Sequence, residues 1–297
     1  MSEFHGIFPA TITPMTPQGR FDEEAFRKVL EFNIRAGAHG FWLAGGTGES
    51  VLLDDEENKR IAEIAADQTR GRAVNIMHVG AATTARAALL AEHAARVGVE
   101  SICCVPPFFY SRSDEEIVEH YRAVGAAANL PLFVYNLPSS TGVEITPELM
   151  QKIQQGVPQV KGLKHSSPNF GNVRAFVEMG LSCFIGSANL MLPALTVGAC
   201  GCVDGPPNYA PELWVEIWNA YQAGDLKRAE AAQRRAIQAW NLATKFNYFA
   251  SVKALVGARI GVDCGVPRAP GSPLTAAERE QLYQELEALE LQAVNLD

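Results

Sequence analysis

The sequence predicts an α/β protein, a (β/α)8 TIM barrel with a C-terminal helical extension. Short apolar segments alternate with longer amphipathic segments, and eight such strand candidates precede residue 211. The chain has 297 residues, 47% of them hydrophobic, which suffices for the core of one such barrel. Strands that alternate with helices form a parallel sheet, and eight units at this length favour closure. A doubly wound open sheet is the alternative.

The strand candidates are short apolar runs, as expected for strands covered on both faces. In chain order they are residues 6–13, 40–44, 73–79, 101–105, 132–136, 160–164, 183–186 and 201–204.

Helix start signals stand between these strands. Asp22 and Asp54 each open an acidic first turn, and Ser113 begins a capping-box match. Pro147 directly follows the N-cap candidate Thr146, which is a favoured position for proline. These signals predict that helices connect the strands.

The pattern becomes all-helical towards the C-terminus. A helix is expected to begin near Pro211, and the helices that follow are expected at residues 225–249, 251–260 and 275–291, with a loop at 267–273. We therefore predict a barrel with the catalytic site over residues 1–223 and a helical domain over residues 224–297.

The charge balance argues against several classes of partner. The net charge is -8, the isoelectric point is about 5.4 and no run of Lys or Arg occurs, so we expect neither nucleic acid nor a membrane surface as a partner. The longest apolar run, at 191–203, contains a proline and is too short to span a bilayer. The start lacks signal-peptide features, and six cysteines in apolar contexts fit a reducing compartment. A cytoplasmic protein is expected.

The carboxyl ends of the strands are where a barrel of this kind places its reacting groups. Those positions hold one lysine, one tyrosine and several hydroxyl groups, without a cluster of carboxylates or histidines. Because a catalytic metal needs three or more converging ligands, no metal site is predicted.

Lys164 is the main catalytic candidate. Alternation puts Val160, Gly162 and Lys164 on one face, so Lys164 is expected to rise through the barrel interior, above room left by Gly162. Desolvation there favours the neutral amine, which attacks a ketone to form a Schiff base without a cofactor. Tyr135 ends the preceding strand and is expected to shuttle protons. The alternative is a surface lysine at the end of a strand.

The glycine-rich turn Gly45-Gly-Thr-Gly-Glu-Ser50 follows the second strand. It lacks the lysine of a P-loop, and Val51 stands where a dinucleotide motif has its third glycine. Exposed backbone N–H groups beside the Thr47 hydroxyl suit a small carboxylate better than a nucleotide.

Three motifs in this order resemble the dihydrodipicolinate synthase/N-acetylneuraminate lyase family. They are Gly45-Gly-Thr-Gly-Glu-Ser50, Tyr135-Asn-Leu-Pro-Ser-Ser-Thr-Gly142 and Gly162-Leu-Lys164, and the likeness runs from Gly6 to about Pro273. The resemblance implies a (β/α)8 barrel with a C-terminal helical domain, commonly a homotetramer. It also implies class I aldolase chemistry on pyruvate or another 2-oxo acid.

The resemblance also implies roles for individual residues. Lys164 matches the family's Schiff-base lysine, and Tyr135 matches its proton-relaying tyrosine. Thr47 and the Gly46 N–H match the turn that binds the carboxylate. Val203 matches the residue of the eighth strand that lines the pyruvate site.

Some positions depart from the synthase. Ser140 stands where the synthase has an arginine that grips the second substrate's carboxylate. Gly46 replaces a threonine of its proton relay. Phe109 aligns with a tyrosine that reaches in from a neighbouring subunit of the synthase, and Tyr110 lies one residue beyond the aligned position. These differences disfavour synthase activity.

Other positions depart from the lyase that cleaves sialic acid. Ala188-Asn189 replace its acidic pair, and Gly205 replaces a serine that touches the sugar. His78 and Asp204, together with Ser140, are local candidates for substrate specificity. The alternatives are packing or a rim hydrogen bond for His78, and a loop-capping role for Asp204.

The leading hypothesis is a class I lyase that cleaves or dehydrates a 2-oxo-3-deoxy acid through an imine on Lys164, with pyruvate as product or donor. The alternatives are a dihydrodipicolinate synthase, which condenses pyruvate with aspartate semialdehyde, an N-acetylneuraminate lyase, and a non-catalytic metabolite-binding barrel. The expected partners are a pyruvate-like 2-oxo acid and further copies of the chain in a dimer or tetramer. The imine takes the place of any cofactor.

Overall fold

Eight parallel strands form one sheet in the computed structural model, which describes residues 4–291 and Val294. The strands are β1 Gly6–Pro9, β2 Gly40–Leu43, β3 Val74–His78, β4 Ser101–Cys104, β5 Leu132–Asn136, β6 Val160–His165, β7 Ser182–Ile185 and β8 Gly201–Asp204. Their order in the sheet is β1-β8-β7-β6-β5-β4-β3-β2.

The sheet closes where β1 approaches β2. Ala10 forms a parallel bridge with Trp42, and the Thr11 N–H donates to the Trp42 carbonyl over 3.0 Å. The predicted barrel is therefore confirmed, and the open-sheet alternative is wrong.

Helices cover the outside of the barrel and continue beyond it. They are α1 Glu23–Arg35, α2 Asp55–Thr69, α3 Thr84–Val97, α4 Asp114–Ala128, α5 Pro138–Thr141, α6 Pro147–Gly156, α7 Asn172–Glu178, α8 Met191–Thr196, α9 Pro211–Gln222, α10 Leu226–Thr244, α11 Tyr248–Ile260 and α12 Ala276–Glu287. Within the described part of the chain, none of them is long and apolar enough to cross a membrane.

The predicted helix starts are confirmed by their caps. The side chains of Asp54 and Ser113 each complete a capping box with the glutamate three residues later. Asp22 and Thr146 each accept a backbone N–H from the first turn that follows. Each cap satisfies a helical N–H that would otherwise have no partner.

The first strand is shorter than predicted. It ends at Pro9 because the backbone then changes partners: the Ala10 N–H donates to Asp204 of β8, whereas the Thr11 N–H donates to Trp42 of β2. Residues 10–13 therefore leave the regular ladder and lead into the barrel mouth, the end formed by the carboxyl ends of the strands.

The long helix predicted at 225–249 is divided in two. α10 ends at Thr244, and α11 begins at Tyr248 because the Asn247 side chain accepts the Ala250 N–H and caps a new helix. The predicted division after residue 223 falls in the turn between α9 and α10, where Gly224 has φ +75°; the two-domain division stays a prediction.

Two apolar clusters lie on either side of the sheet. The outer cluster joins the strands to the helices. The inner cluster fills the barrel and consists of Phe4, Phe8, Ala10, Trp42, Ile76, Cys103, Val105, Phe133, Tyr135, Phe184 and Val203. Cys103 lies inside and Cys104 outside, as strand alternation predicts.

β6 departs from strict alternation at its start. Consecutive residues of β5 pair with Val160 and Gly162, so Lys161 is an additional, bulged residue. Val160 consequently packs in the outer cluster. The prediction that Val160 shares a face with Gly162 and Lys164 is wrong.

Gly162 leaves no room beneath the lysine. A Cβ at this position would overlap the Ser182 carbonyl oxygen and lie 2.5 Å from Cε1 of the Phe133 ring. The predicted space is therefore filled, and glycine is required because the neighbouring strand and a phenyl ring occupy the volume of a side chain.

Candidate active site

Lys164 and Tyr135 lie side by side, because their Cα atoms are partners in the β5–β6 ladder. Both side chains are buried, with 3% and 4% of their surface exposed. The Lys164 Nζ lies 4.5 Å from the centroid of the Tyr135 ring and 5.4 Å from that of the Trp42 ring. The amine thus ends in an aromatic, largely dry part of the barrel mouth.

The turn after β2 lies next to this pair. The Glu49 N–H donates to the Gly46 carbonyl over 3.0 Å, and Glu49 itself has φ +62°. A Cβ built on Gly46 would lie 3.4 Å from the Tyr135 Oη. Gly46 therefore lies in contact range of the tyrosine hydroxyl, and the buried Thr47 follows it in the turn.

A buried ion pair holds the turn to the C-terminal helices. The Glu49 carboxylate lies 2.7 Å from the Lys253 Nζ of α11, and both side chains are 2% exposed or less. The second Glu49 oxygen accepts the Arg268 N–H over 2.7 Å. Two segments distant in sequence thus fix the shape of the turn.

Tyr248 is a functional candidate that the sequence analysis missed. Its Oη lies 3.3 Å from the Thr47 Oγ1, and a Cβ at Gly205 would overlap the Tyr248 hydroxyl. Burial raises the phenol pKa well above its usual value, so the hydroxyl keeps its proton. Tyr248 begins α11, and no pattern in the sequence indicates that this helix end reaches the barrel mouth.

The contacts of Asp204 are those of a residue that caps a loop, which was the alternative to a role in substrate specificity. Its two carboxylate oxygens accept the backbone N–H groups of Ala188 and Gly205 over 2.8 and 2.7 Å. Burial raises its pKa, and the charge of Lys164 opposes that rise. Val203, one residue earlier, is fully buried in the inner cluster.

His78 lies behind Tyr135, with its ring edge-on to the tyrosine ring at 6.1 Å. Burial, with a further effect of the Lys164 charge, lowers its pKa to about 4. The ring is therefore neutral near pH 7. Its Nε2 is buried and has no hydrogen-bond partner among the described residues.

A cavity of about 240 Å³ opens beside Gly46 and Tyr135. Ser140 stands at its rim in the short helix α5 and is exposed. The cavity is lined by Gly46, Glu49, Ser50, Val51, Leu52, His78, Val105, Phe108, Tyr135, Leu137, Ser140, Thr141 and Phe249.

Other candidates point away from this cavity. His165, the neighbour of Lys164, bonds to the Asn169 carbonyl over 3.0 Å and to the Asn136 amide over 3.2 Å, outside the barrel. Phe109 and Tyr110 project from the loop after β4 and are 85% and 65% exposed. Among the residues that the structure describes, no group of three or more His, Cys, Asp or Glu is arranged to hold a metal ion.

Comparison with known proteins identifies the family. A model of the dihydrodipicolinate synthetase family matches residues 3–289. A DapA-like lyase of Halobacterium salinarum is 34% identical over 289 residues, which cover 97% of this chain and 94% of the relative. A 4-hydroxy-tetrahydrodipicolinate synthase of Methanopyrus kandleri is 33% identical over 294 residues, 97% of each chain.

The fold agrees with a solved structure. The dihydrodipicolinate synthase of Aquifex aeolicus superposes with a TM-score of 0.91 at 27% identity, over 98% of this chain and 100% of that one. The family expected from the three motifs is confirmed. The chain belongs to the dihydrodipicolinate synthetase family, and it is a lyase of the class I aldolase type.

Proposed function

We propose that the protein cleaves or dehydrates a 2-oxo-3-deoxy acid through an imine on Lys164, with pyruvate released on the aldol route. The observation that carries this proposal is the contrast between two buried lysines. Lys253 is 2.7 Å from the Glu49 carboxylate and donates to the Val266 carbonyl, as a structural charge requires. The Lys164 amine instead lies over the Tyr135 and Trp42 rings, at the strand end where barrels carry their reactive groups.

The chemistry follows from an amine nucleophile at that position. Nζ attacks C2 of the 2-oxo acid, and loss of water from the carbinolamine leaves an iminium group. The iminium accepts the electron pair of the C3–C4 bond when that bond breaks, and the 4-hydroxyl loses its proton to form the aldehyde. The enamine is then protonated at C3, and water hydrolyses the imine to release pyruvate and Lys164.

The surrounding residues divide the remaining work. The Tyr135 hydroxyl, next to the lysine across the ladder, moves protons to and from the carbinolamine and the 4-hydroxyl. The Gly46 N–H and the Thr47 hydroxyl hold the carboxylate, and Val203 lines the pyruvate site. Neither a metal nor an external cofactor enters this scheme, because the imine is the electron sink.

The support for contact with substrate differs among the specificity candidates His78, Ser140 and Asp204. His78 and Ser140 line the cavity, which supports contact with substrate. The carboxylate of Asp204 is already bonded to two backbone N–H groups, which supports a positioning role in the loops that follow β7 and β8.

We further propose a cytoplasmic homo-oligomer, a dimer or tetramer. The exposed pair Phe109 and Tyr110 is an apolar surface of the kind that subunit contacts cover. Six unpaired cysteines support a reducing compartment. We propose small 2-oxo acids, rather than nucleic acid or membrane, as the physiological partners.

Synthase activity is the competing function, since relatives with that name are about one-third identical. Ser140 argues against it, because an arginine at this position would hold the second carboxylate. Losing such a charge-assisted contact costs roughly 1.5–3 kcal/mol, or about ten- to a hundredfold in affinity. Efficient condensation of pyruvate with aspartate semialdehyde would overturn this assignment.

A substrate panel tests the proposal. The protein should release pyruvate from at least one member of a set of 2-oxo-3-deoxy acids that includes N-acetylneuraminate, and Lys164→Ala should release none. For a dehydrated substrate, the same assay should detect a new 2-oxo product by mass. A protein that binds these acids without turning any over would be the non-catalytic barrel.

A further inference from the structure

We infer that the part of the substrate from C4 onward, which leaves as the aldehyde, is uncharged and apolar, with the bulk of one ring or a short branched chain. This inference rests on the proposed function and specifies its substrate class. It derives from the walls of the cavity beside Tyr135.

The walls are mostly hydrocarbon. Six of the lining side chains are large and apolar: Val51, Leu52, Val105, Phe108, Leu137 and Phe249. Val51, Leu52 and Phe249 are also substantially exposed, and an exposed apolar rim around a cleft marks a ligand-binding groove. The volume of about 240 Å³ is below the range of about 300–1,000 Å³ typical of drug-sized ligands, which suits a small acceptor.

The polar groups of the cavity offer no cation to a charged chain and few partners to a many-hydroxylated one: the Ser50 and Ser140 hydroxyls and the buried Nε2 of His78. Glu49 is committed to Lys253 and to the Arg268 N–H, and the Thr141 hydroxyl donates to the Leu137 carbonyl. His78 is neutral, since burial lowers its pKa to about 4. No Lys or Arg is among the described residues that line the cavity, so a carboxylate entering it would be desolvated without a cation.

The polar side chains beside the proposed pyruvate site already have partners within the protein. The Tyr248 hydroxyl lies where a side chain at Gly205 would stand and is paired with Thr47. The Asp204 carboxylate is occupied by two backbone N–H groups. No described residue of β6, β7 or β8 lines the cavity. The cavity lies on the apolar side, between the β2 turn and α5, so we place the substrate tail there.

The reverse reaction, aldol condensation of pyruvate with an aldehyde, allows this inference to be tested. The pyruvate imine loses a C3 proton to give the enamine, whose C3 forms a bond to the aldehyde carbon. The aldehyde oxygen gains a proton and becomes the 4-hydroxyl, and water then hydrolyses the imine to give a 4-hydroxy-2-oxo acid. No oxidant or reductant is needed.

The test compares acceptors at equal concentration with saturating pyruvate. Benzaldehyde and isobutyraldehyde should be condensed with kcat/KM at least about tenfold above erythrose and aspartate semialdehyde, because each additional apolar group in such a pocket contributes about tenfold or more. Product is measured by mass spectrometry as the 4-hydroxy-2-oxo acid.

A matched pair of variants locates the effect. Leu52→Asn, at the cavity rim, should lower kcat/KM for benzaldehyde about tenfold, whereas Leu89→Asn, an exposed leucine of α3 outside the cavity, should leave it unchanged. Both variants should still form the pyruvyl adduct trapped by borohydride, which verifies that they are folded.

The outcomes separate this inference from the proposed function. A trapped pyruvyl adduct combined with preference for erythrose or aspartate semialdehyde would overturn the apolar acceptor and leave the lysine mechanism intact. Absence of any adduct would overturn both. An adduct with preference for the apolar aldehydes, reduced by Leu52→Asn alone, is the result expected.

Discussion

Two tyrosines reach the barrel mouth from different parts of the chain. Tyr135 comes from the end of β5 and lies beside Lys164, whereas Tyr248 comes from the start of α11 and pairs with Thr47. The Thr47 hydroxyl has a partner in Tyr248, so we propose separate phenols for the proton relay and for the carboxylate site.

Tyr135→Phe should lower kcat by about 10²–10⁴-fold, the usual effect of removing a general acid–base group, with little change in KM. Thr47→Val should raise KM for the 2-oxo acid, because it removes a hydroxyl that holds the carboxylate. Steady-state kinetics on both variants separates the two roles. Near-normal turnover by Tyr135→Phe would mean that this tyrosine only packs the mouth.

Tyr248→Phe should act on binding more than on turnover. It removes one neutral hydrogen bond, worth about 0.5–1.5 kcal/mol, so KM for the 2-oxo acid should rise about two- to tenfold. Tyr283→Phe, on α12 and outside the mouth, is the matched control and should have no effect. A Tyr248→Phe enzyme that loses turnover as Tyr135→Phe does would instead assign the proton relay to Tyr248.

The course of β6 determines where the Lys164 side chain points. Its bulge at Lys161 sends Val160 outward, and the alternation that follows directs Gly162 and Lys164 inward. Gly162 then permits the Phe133 ring and the β7 backbone to close on the strand. The position of the lysine thus depends on the glycine two residues before it.

Gly162→Ala should destabilise the protein by about 1–3 kcal/mol or more, the usual cost of overpacking a filled core. Gly171→Ala is the control, because a Cβ there would meet no atom within 4 Å and its backbone is helical. Urea unfolding measures both. Equal stability of the two variants would show that β6 can shift to accept a side chain.

At the scale of the whole molecule, the C-terminal helices complete the site. α11 supplies Tyr248 and Phe249 to the mouth and Lys253 to the Glu49 carboxylate. The helical extension therefore contributes directly to the shape of the cavity and of the turn after β2, for which we propose the carboxylate site.

Lys253→Met should cost about 3–5 kcal/mol of stability, because it leaves the Glu49 carboxylate buried without its partner. It should also weaken pyruvate binding, since Glu49 belongs to the turn. Arg60→Met removes exposed ion pairs with Glu23 and Glu63 and should cost at most about 1 kcal/mol. If both variants unfold at the same urea concentration, the buried pair does not hold the turn.

Much of the barrel could be predicted from local sequence. The bounds of β5 and β8 were predicted to the residue, because short apolar runs between turn signals define strands directly. The sequence placed Tyr135 and Lys164 near the ends of successive strands, and the structure pairs them in the β5–β6 ladder. The helix caps at Asp54 and Ser113 were equally local and were confirmed.

What the sequence left hidden depends on contacts between distant segments. The bulge at Lys161 arises from pairing with β5, and the need for Gly162 arises from a phenyl ring of that strand. Tyr248 lies beyond the barrel in sequence, and only the packing of α11 on the mouth brings its hydroxyl to Thr47. Hydrophobic periodicity describes one helix or strand at a time, so it carries no information on contacts between distant segments.

The most direct measurement is the site of covalent attachment. Protein incubated with pyruvate and borohydride should gain one reduced pyruvyl group, and peptide mapping should find it on Lys164 alone. Lys164→Ala should abolish the adduct without unfolding the chain, whereas Lys161→Ala, which removes the exposed lysine of the same strand, should retain it. Unmodified protein, or label spread over surface lysines, would contradict the mechanism.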